Sequence, residues 1–133
     1  MSSIRWIIED VVFAVHQSLL SEHGGSTGVR DKALLESALA RPKQRVEYEP
    51  ESSLFQLAAA YSFGLAKNHP FVDGNKRIAL AIGAVFLEIN GKTLNASEPE
   101  TVIVFERLAA GELLEEELAA WFETNSIANK YKI

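Results

Sequence analysis

The sequence contains no cysteine, so neither disulfides nor thiolate metal sites can hold the fold together. Basic residues are outnumbered, 13 lysines and arginines against 18 aspartates and glutamates, giving a net charge of −5. That balance excludes a general nucleic-acid binder and predicts no direct nucleic-acid partner. No apolar run approaches the roughly 20 residues that a membrane span needs, so no membrane partner is expected. The opening residues Met1 to Ile8 run straight into Glu9 and Asp10, without the long apolar region of a signal peptide. Internal repeats and low-complexity linkers are missing as well. These absences leave one domain over residues 1–133, expected in the cytoplasm, with a tail from about residue 126 that is loose or weakly helical.

What is there is organised around one stretch. His69-Pro-Phe-Val-Asp-Gly-Asn-Lys-Arg77 runs into Ile78-Ala-Leu-Ala-Ile-Gly-Ala-Val-Phe-Leu87. The second half is apolar on every side, which predicts a helix wrapped by other elements. The first half is a polar turn at that helix's start. Amides of a first helical turn have no internal partner, and the macrodipole makes that end positive. Lys76 and Arg77 add full charges there, an arrangement that calls for a bound anion such as phosphate.

Other elements follow from spacing and punctuation. Val11, Val12, Val15 and Leu19 fall at helical spacing, and Gly24-Gly25 ends that first helix. His16 and His23 belong to it as structural residues. The loop Gly24 to Gly28 lacks a following Gly-Lys-Ser/Thr, so it is a turn and not a phosphate-binding loop of that kind. Asp31 caps a short helix through Ala40, which Pro42 is expected to end. Between Pro42 and Pro50, Val46 and Tyr48 alternate with charged neighbours, a weak strand signal that an irregular connector fits equally well. Ser52 or Ser53 starts a third helix to about Asn68, and Asn90-Gly91 closes the central one. Pro99 opens a fifth helix. Leu113, Leu114, Leu118, Trp121 and Phe122 build a last one, with Glu115, Glu116 and Glu117 as a solvated acidic face. The predicted fold is all-α, about six helices around a buried central helix.

The polar loop has the parts for chemistry on a nucleoside triphosphate. Asp73 offers a hard oxygen ligand for Mg²⁺, which keeps phosphate oxygens and water in its remaining positions. Asn75 and the amides of Gly74 to Lys76 can hold phosphate oxygens, and Arg77 can clamp them in bidentate fashion. His69 at the loop's far end can take a proton from an attacking hydroxyl. Pro70 stiffens the turn and Phe71 anchors it in the core. Two other readings share these residues. His69 and Asp73 could ligate a transition metal, which lacks a third ligand, or the loop could only recognise a phosphorylated partner.

The nine residues from His69 to Arg77 closely resemble the signature of the Fic/Doc family, His-Pro-Phe-x-Asp/Glu-Gly/Ala-Asn-Gly/Lys-Arg. The segments His23 to Asp31 and Leu34 to Pro42 are similar to the N-terminal half of its Doc (death-on-curing) branch. The resemblance implies a Fic-like helical bundle with a β-like flap beside the site, here residues 43–51, with Arg45, Val46, Glu47 and Tyr48 docking the target. It implies His69 as base, Asp73 as metal holder, and Gly74, Asn75, Lys76 and Arg77 around the phosphates of ATP.

Fic enzymes that transfer AMP carry glycine where this chain has Lys76, which implies a reversed ATP and transfer of the γ-phosphate, as in Doc toxins. The implied target is a protein hydroxyl, that of translation elongation factor Tu in the Doc branch. Ser18 to Glu22 has the spacing of the family's inhibitory Ser/Thr-x-x-x-Glu motif but is followed by His23. Restraint is therefore expected from a small antitoxin in trans. AMP transfer, or a catalytically inactive binding module, are the alternatives.

Overall fold

The computed structural model describes residues 3–130. Among them lie six helices and one two-stranded sheet: α1 (Glu9–His23), α2 (Lys32–Tyr48), α3 (Leu54–Asn68), α4 (Asn75–Ile89), β1 (Lys92–Leu94), α5 (Glu98–Ala109), α6 (Glu115–Thr124) and β2 (Ser126–Ala128). The all-α bundle expected from the sequence is what forms.

Its centre is a pair of helices rather than one. No residue of α4 from Ile78 onward is exposed, as an all-round apolar helix requires. Yet α3 is buried along more of its length, from Leu57 to Leu65 with only Phe63 half-covered. Small residues make this possible. A Cβ on Gly83 of α4 would strike the Ser62 hydroxyl and stand 2.9 Å from Phe122. The Ser62 hydroxyl is itself satisfied by the Ala79 carbonyl at 2.6 Å, tying α3 to α4. Around the pair, α2 and α6 pack on α3 while α1 and β1 pack on α4.

Helix starts follow their caps. Asp31 accepts from the Leu34 amide at 3.0 Å. Ser53 and Gln56 form a reciprocal capping box, and Ser97 caps α5 with Pro99 in its first turn.

Three expectations are corrected. Pro42 does not end α2, which runs on to Tyr48, so residues 43–48 are helix and no β-like flap forms there. A proline inside a helix costs about 3 kcal/mol through one lost backbone bond and a ring clash. Burial of Leu35, Ala38 and Pro42 against α3, with Val46 on the core, outweighs that local cost. Arg45 on this helix meets Glu115 and Glu49, while Glu47 and Tyr48 face solvent.

Second, the chain beyond 125 is neither loose nor helical as far as residue 130. Ser126–Ala128 pairs antiparallel with Lys92–Leu94, in the register Lys92↔Ala128, Thr93↔Ile127, Leu94↔Ser126. Residues 131–133 of the expected loose tail lie outside the described residues. Third, the acidic face of α6 is not all solvated. Glu115 is half-buried against Arg41 and Arg45, and Leu114 is the exposed residue that precedes the helix. Before α1, the carboxamide of Asn90 pairs with both backbone groups of Arg5, each at 2.9 Å.

Candidate active site

The polar loop joins the ends of the two central helices, so its residues inherit a rigid frame. His69 is the C-cap of α3 and takes a left-handed conformation (φ 47°), which non-glycine residues adopt at a cost. Arg30 over-determines that geometry. Its Nε donates to the His69 carbonyl at 2.7 Å and its Nη2 to the Asn68 carbonyl at 2.8 Å. The Arg30 and Asp31 amides both donate to the Pro70 carbonyl. The imidazole is left exposed to the cleft.

Phe71 is 1% exposed, edge-on to Phe13 and stacked on His16. Asn75 folds back on it. Its Oδ1 accepts from the Phe71 amide at 3.0 Å and its Nδ2 donates to the Phe71 carbonyl at 2.9 Å. The Asn75 side chain therefore closes the loop internally, a use that the sequence does not reveal. Asp73 turns its carboxylate outward, where Oδ1 accepts from the Gly74 amide at 2.8 Å and Oδ2 from the Ser26 amide at 3.2 Å. Gly74 is left-handed (φ 78°), and it begins α4 without any side-chain cap.

The start of α4 thus presents uncapped amides, Lys76, Arg77 and no acidic residue in the first turn. Lys76 reaches across to Glu106 of α5 at 3.9 Å, a weak exposed pair. Among the described residues no carboxylate pairs with Arg77. An open cleft of about 430 Å³ has His69 on one wall and Asp73 to Arg77 on the other. A groove of about 460 Å³ adjoins it through Lys76 and Arg77, with apolar walls from Leu19, Leu80, Ala81 and Phe105.

All the residues expected at the site from His69 to Arg77 meet at this cleft or in its supporting loop. The four assigned to a docking flap do not: none of Arg45, Val46, Glu47 and Tyr48 lines it. The extended segment beside the site is instead at residues 28–30, where Val29 bridges Phe71 and the Val72 amide donates to the Gly28 carbonyl at 3.0 Å. Ser26, Arg30 and Glu106 also belong to the site; Ser26 and Arg30 lie in the His23–Asp31 segment similar to the Doc branch, but the role of each is not legible there because it acts on a residue far along the chain. Glu22 of the Ser18–Glu22 segment meets His23 at 3.5 Å, not Arg77.

The donor set suits a particular kind of metal. Among the described residues no cluster of three metal-ligating side chains exists, which leaves the transition-metal reading without a third ligand. One carboxylate beside uncapped amides and two cations fits Mg²⁺ carried on a polyphosphate.

A helical bundle that carries this loop between its two central helices defines the class: the chain belongs to the Fic/Doc family, on its Doc side. The pattern of the Fic/DOC family matches residues 6–87. Two characterised relatives locate it more closely. The chain is 34% identical over 110 residues to "Protein kinase doc" of Escherichia phage P1, covering 83% of this chain and 86% of that protein. It is 47% identical over 74 residues to "Toxin Doc" of Mycolicibacterium smegmatis, covering 55% and 57%.

Proposed function

We propose that this chain is a Doc-like toxin that transfers the γ-phosphoryl group of ATP to a protein Ser/Thr hydroxyl. The observation that carries the reading is the shared cleft: an exposed imidazole on one wall faces an uncapped helix start bearing Arg77 on the other. The names of the two relatives, one a kinase and one a toxin, support it.

When bound, ATP with Mg²⁺ supplies the phosphoryl group and neutralises the developing charge. His69 accepts the proton of the incoming hydroxyl, whose oxygen forms the new bond to phosphorus as the bond to the β–γ bridging oxygen breaks and ADP leaves. Asp73 would hold the metal, and Arg77 with the amides of residues 75–77 would stabilise the transferring oxygens. Asn75 keeps its place at the phosphates while bracing the loop. The adjoining apolar groove has the size and polarity for a flat nucleotide base. Lys76 occupies the rim between cleft and groove and favours the reversed nucleotide.

The target is a protein of the translation machinery, elongation factor Tu, so the outcome is arrested translation. Restraint comes from a small antitoxin supplied in trans. These events take place in the cytoplasm.

Purified chain incubated with target and with ATP labelled at either phosphate tests the reaction. Label is expected on protein from the γ position only, and His69→Ala should lower its transfer by about 1,000-fold. Label arriving only from the α position would establish AMP transfer instead. Unchanged growth arrest by His69→Ala would favour a binding module.

A further inference from the structure

We propose that His16 is a positioning residue of this active site. Through its Nε2–H it holds the Asp73 carbonyl, and with it sets where the Asp73 carboxylate stands for a metal–nucleotide. The inference rests on the transferase reading above.

The buried stripe of α1 is Val12, His16 and Leu20, so a polar ring occupies the middle of an otherwise apolar face. His16 is 5% exposed, and a leucine would serve α1's packing as well. The loop explains the ring. His16 stacks on Phe71 with centroids 3.8 Å apart and 16° between planes. Its Nε2 lies 2.8 Å from the Asp73 carbonyl oxygen. A carbonyl only accepts, so Nε2 carries the proton and the tautomer is set. A Cβ on Gly74 would stand 3.5 Å from the same nitrogen, so the loop curls over the imidazole.

Two devices thus divide the work. The Asn75 clamp fixes the loop's internal shape, because both its partners are backbone groups of Phe71 within the loop. It does nothing to fix the loop's height above α1. His16 does, bridging 57 positions of sequence to the residue whose carboxylate faces the cleft. The outer face of that carboxylate is then bounded by the Gly25–Ser26 turn, where a Cβ on Gly25 would come 2.9 Å from Asp73 Oδ2.

Two variants separate the hydrogen bond from the ring. His16→Phe keeps a ring to stack and removes the donor; His16→Gln keeps a donor at similar reach and removes the ring. The full chain is titrated calorimetrically with a non-hydrolysable ATP analogue, with and without Mg²⁺, and amide exchange is followed at residues 72–75. For His16→Phe, Mg²⁺-dependent binding should weaken by about 10-fold, metal-free binding should hold, and exchange at 72–75 should quicken. In turnover the loss should appear in the Mg²⁺ requirement more than in kcat. His16→Gln should restore most of it. Wild-type binding and exchange in His16→Phe would overturn the inference, as would a folded His16→Gln that binds no Mg²⁺–nucleotide. If His16→Phe does not fold, His16→Gln decides alone, by the same criterion. A wild-type chain that binds no Mg²⁺–nucleotide overturns the transferase reading itself, and the inference falls with it.

Discussion

Two places in this molecule crowd a pair of cations, and the surroundings treat them in opposite ways. On α2, Arg41 and Arg45 converge on Glu115, whose side chain is only 18% exposed and meets both guanidinium groups. At the start of α4, Lys76 has a distant and exposed partner in Glu106, and Arg77 has none among the described residues. The first cluster is a closed joint between α2 and α6. The second opens onto the cleft, and among the described residues no buried carboxylate answers it. Charge alone does not distinguish a structural cluster from a binding one; the presence of a buried carboxylate does.

Substitutions on the two sides should behave as opposites. Arg77→Ala should lower kcat/KM for ATP by about 100-fold while moving stability by less than about 0.5 kcal/mol, read from steady-state kinetics and thermal unfolding. If that variant melted early and turned over normally, the cluster on α4 would be a second joint. Glu115→Ala should do the reverse. Losing the shared carboxylate strands Arg41, while Arg45 keeps Glu49 at 3.2 Å, so a cost of about 2 kcal/mol is expected after allowing for solvent screening. Denaturant midpoints would measure it, with activity per folded molecule unchanged. A loss of turnover without loss of stability would link the joint to the site.

The smallest effect sharpens the contrast with a group that is polar but uncharged at neutral pH. Burial pushes the Tyr61 phenol above its ordinary value of 10.0, against the lowering effect of the Ile7 amide that donates to it. Its contribution to stability is complete below pH 10, the unfolded value, and is lost as pH rises through the higher folded one. Unfolding followed between pH 9 and 11.5 should show that decline, and Tyr61→Phe should remove it.

How much of this could be read beforehand depends on the range of each interaction. Helix starts are legible because Asp31 and Ser53 act on residues three positions away and Pro99 fits the first turn of α5. The cleft was legible because His69, Asp73 and Arg77 share one short loop. Pro42 misled because its local cost is visible and the burial on α3 that offsets it is not. The β1–β2 pair was missed because strands of three residues carry no periodicity, and their partners lie more than 30 positions apart. The spacing of Val11, Val12, Val15 and Leu19 marks α1 as a helix, and all four pack in or on the core, but the fully buried stripe is Val12, His16 and Leu20. His16 is legible as a structural histidine, but its partner, 57 positions away, is not. The side-chain role of Asn75 escaped for a different reason: the same carboxamide that could meet a phosphate is first used to close its own loop.

Asn90, at the foot of α4, holds Arg5, and beside it Asn129 donates to Glu88 while its amide donates to the Gly91 carbonyl. Both outer segments of the described chain are therefore moored at one pole of the molecule, and the cleft opens at the other. A helix of 15 residues separates the poles, roughly 22 Å. A fluorescent reporter attached within either of these segments would sit a full helix away from the cleft.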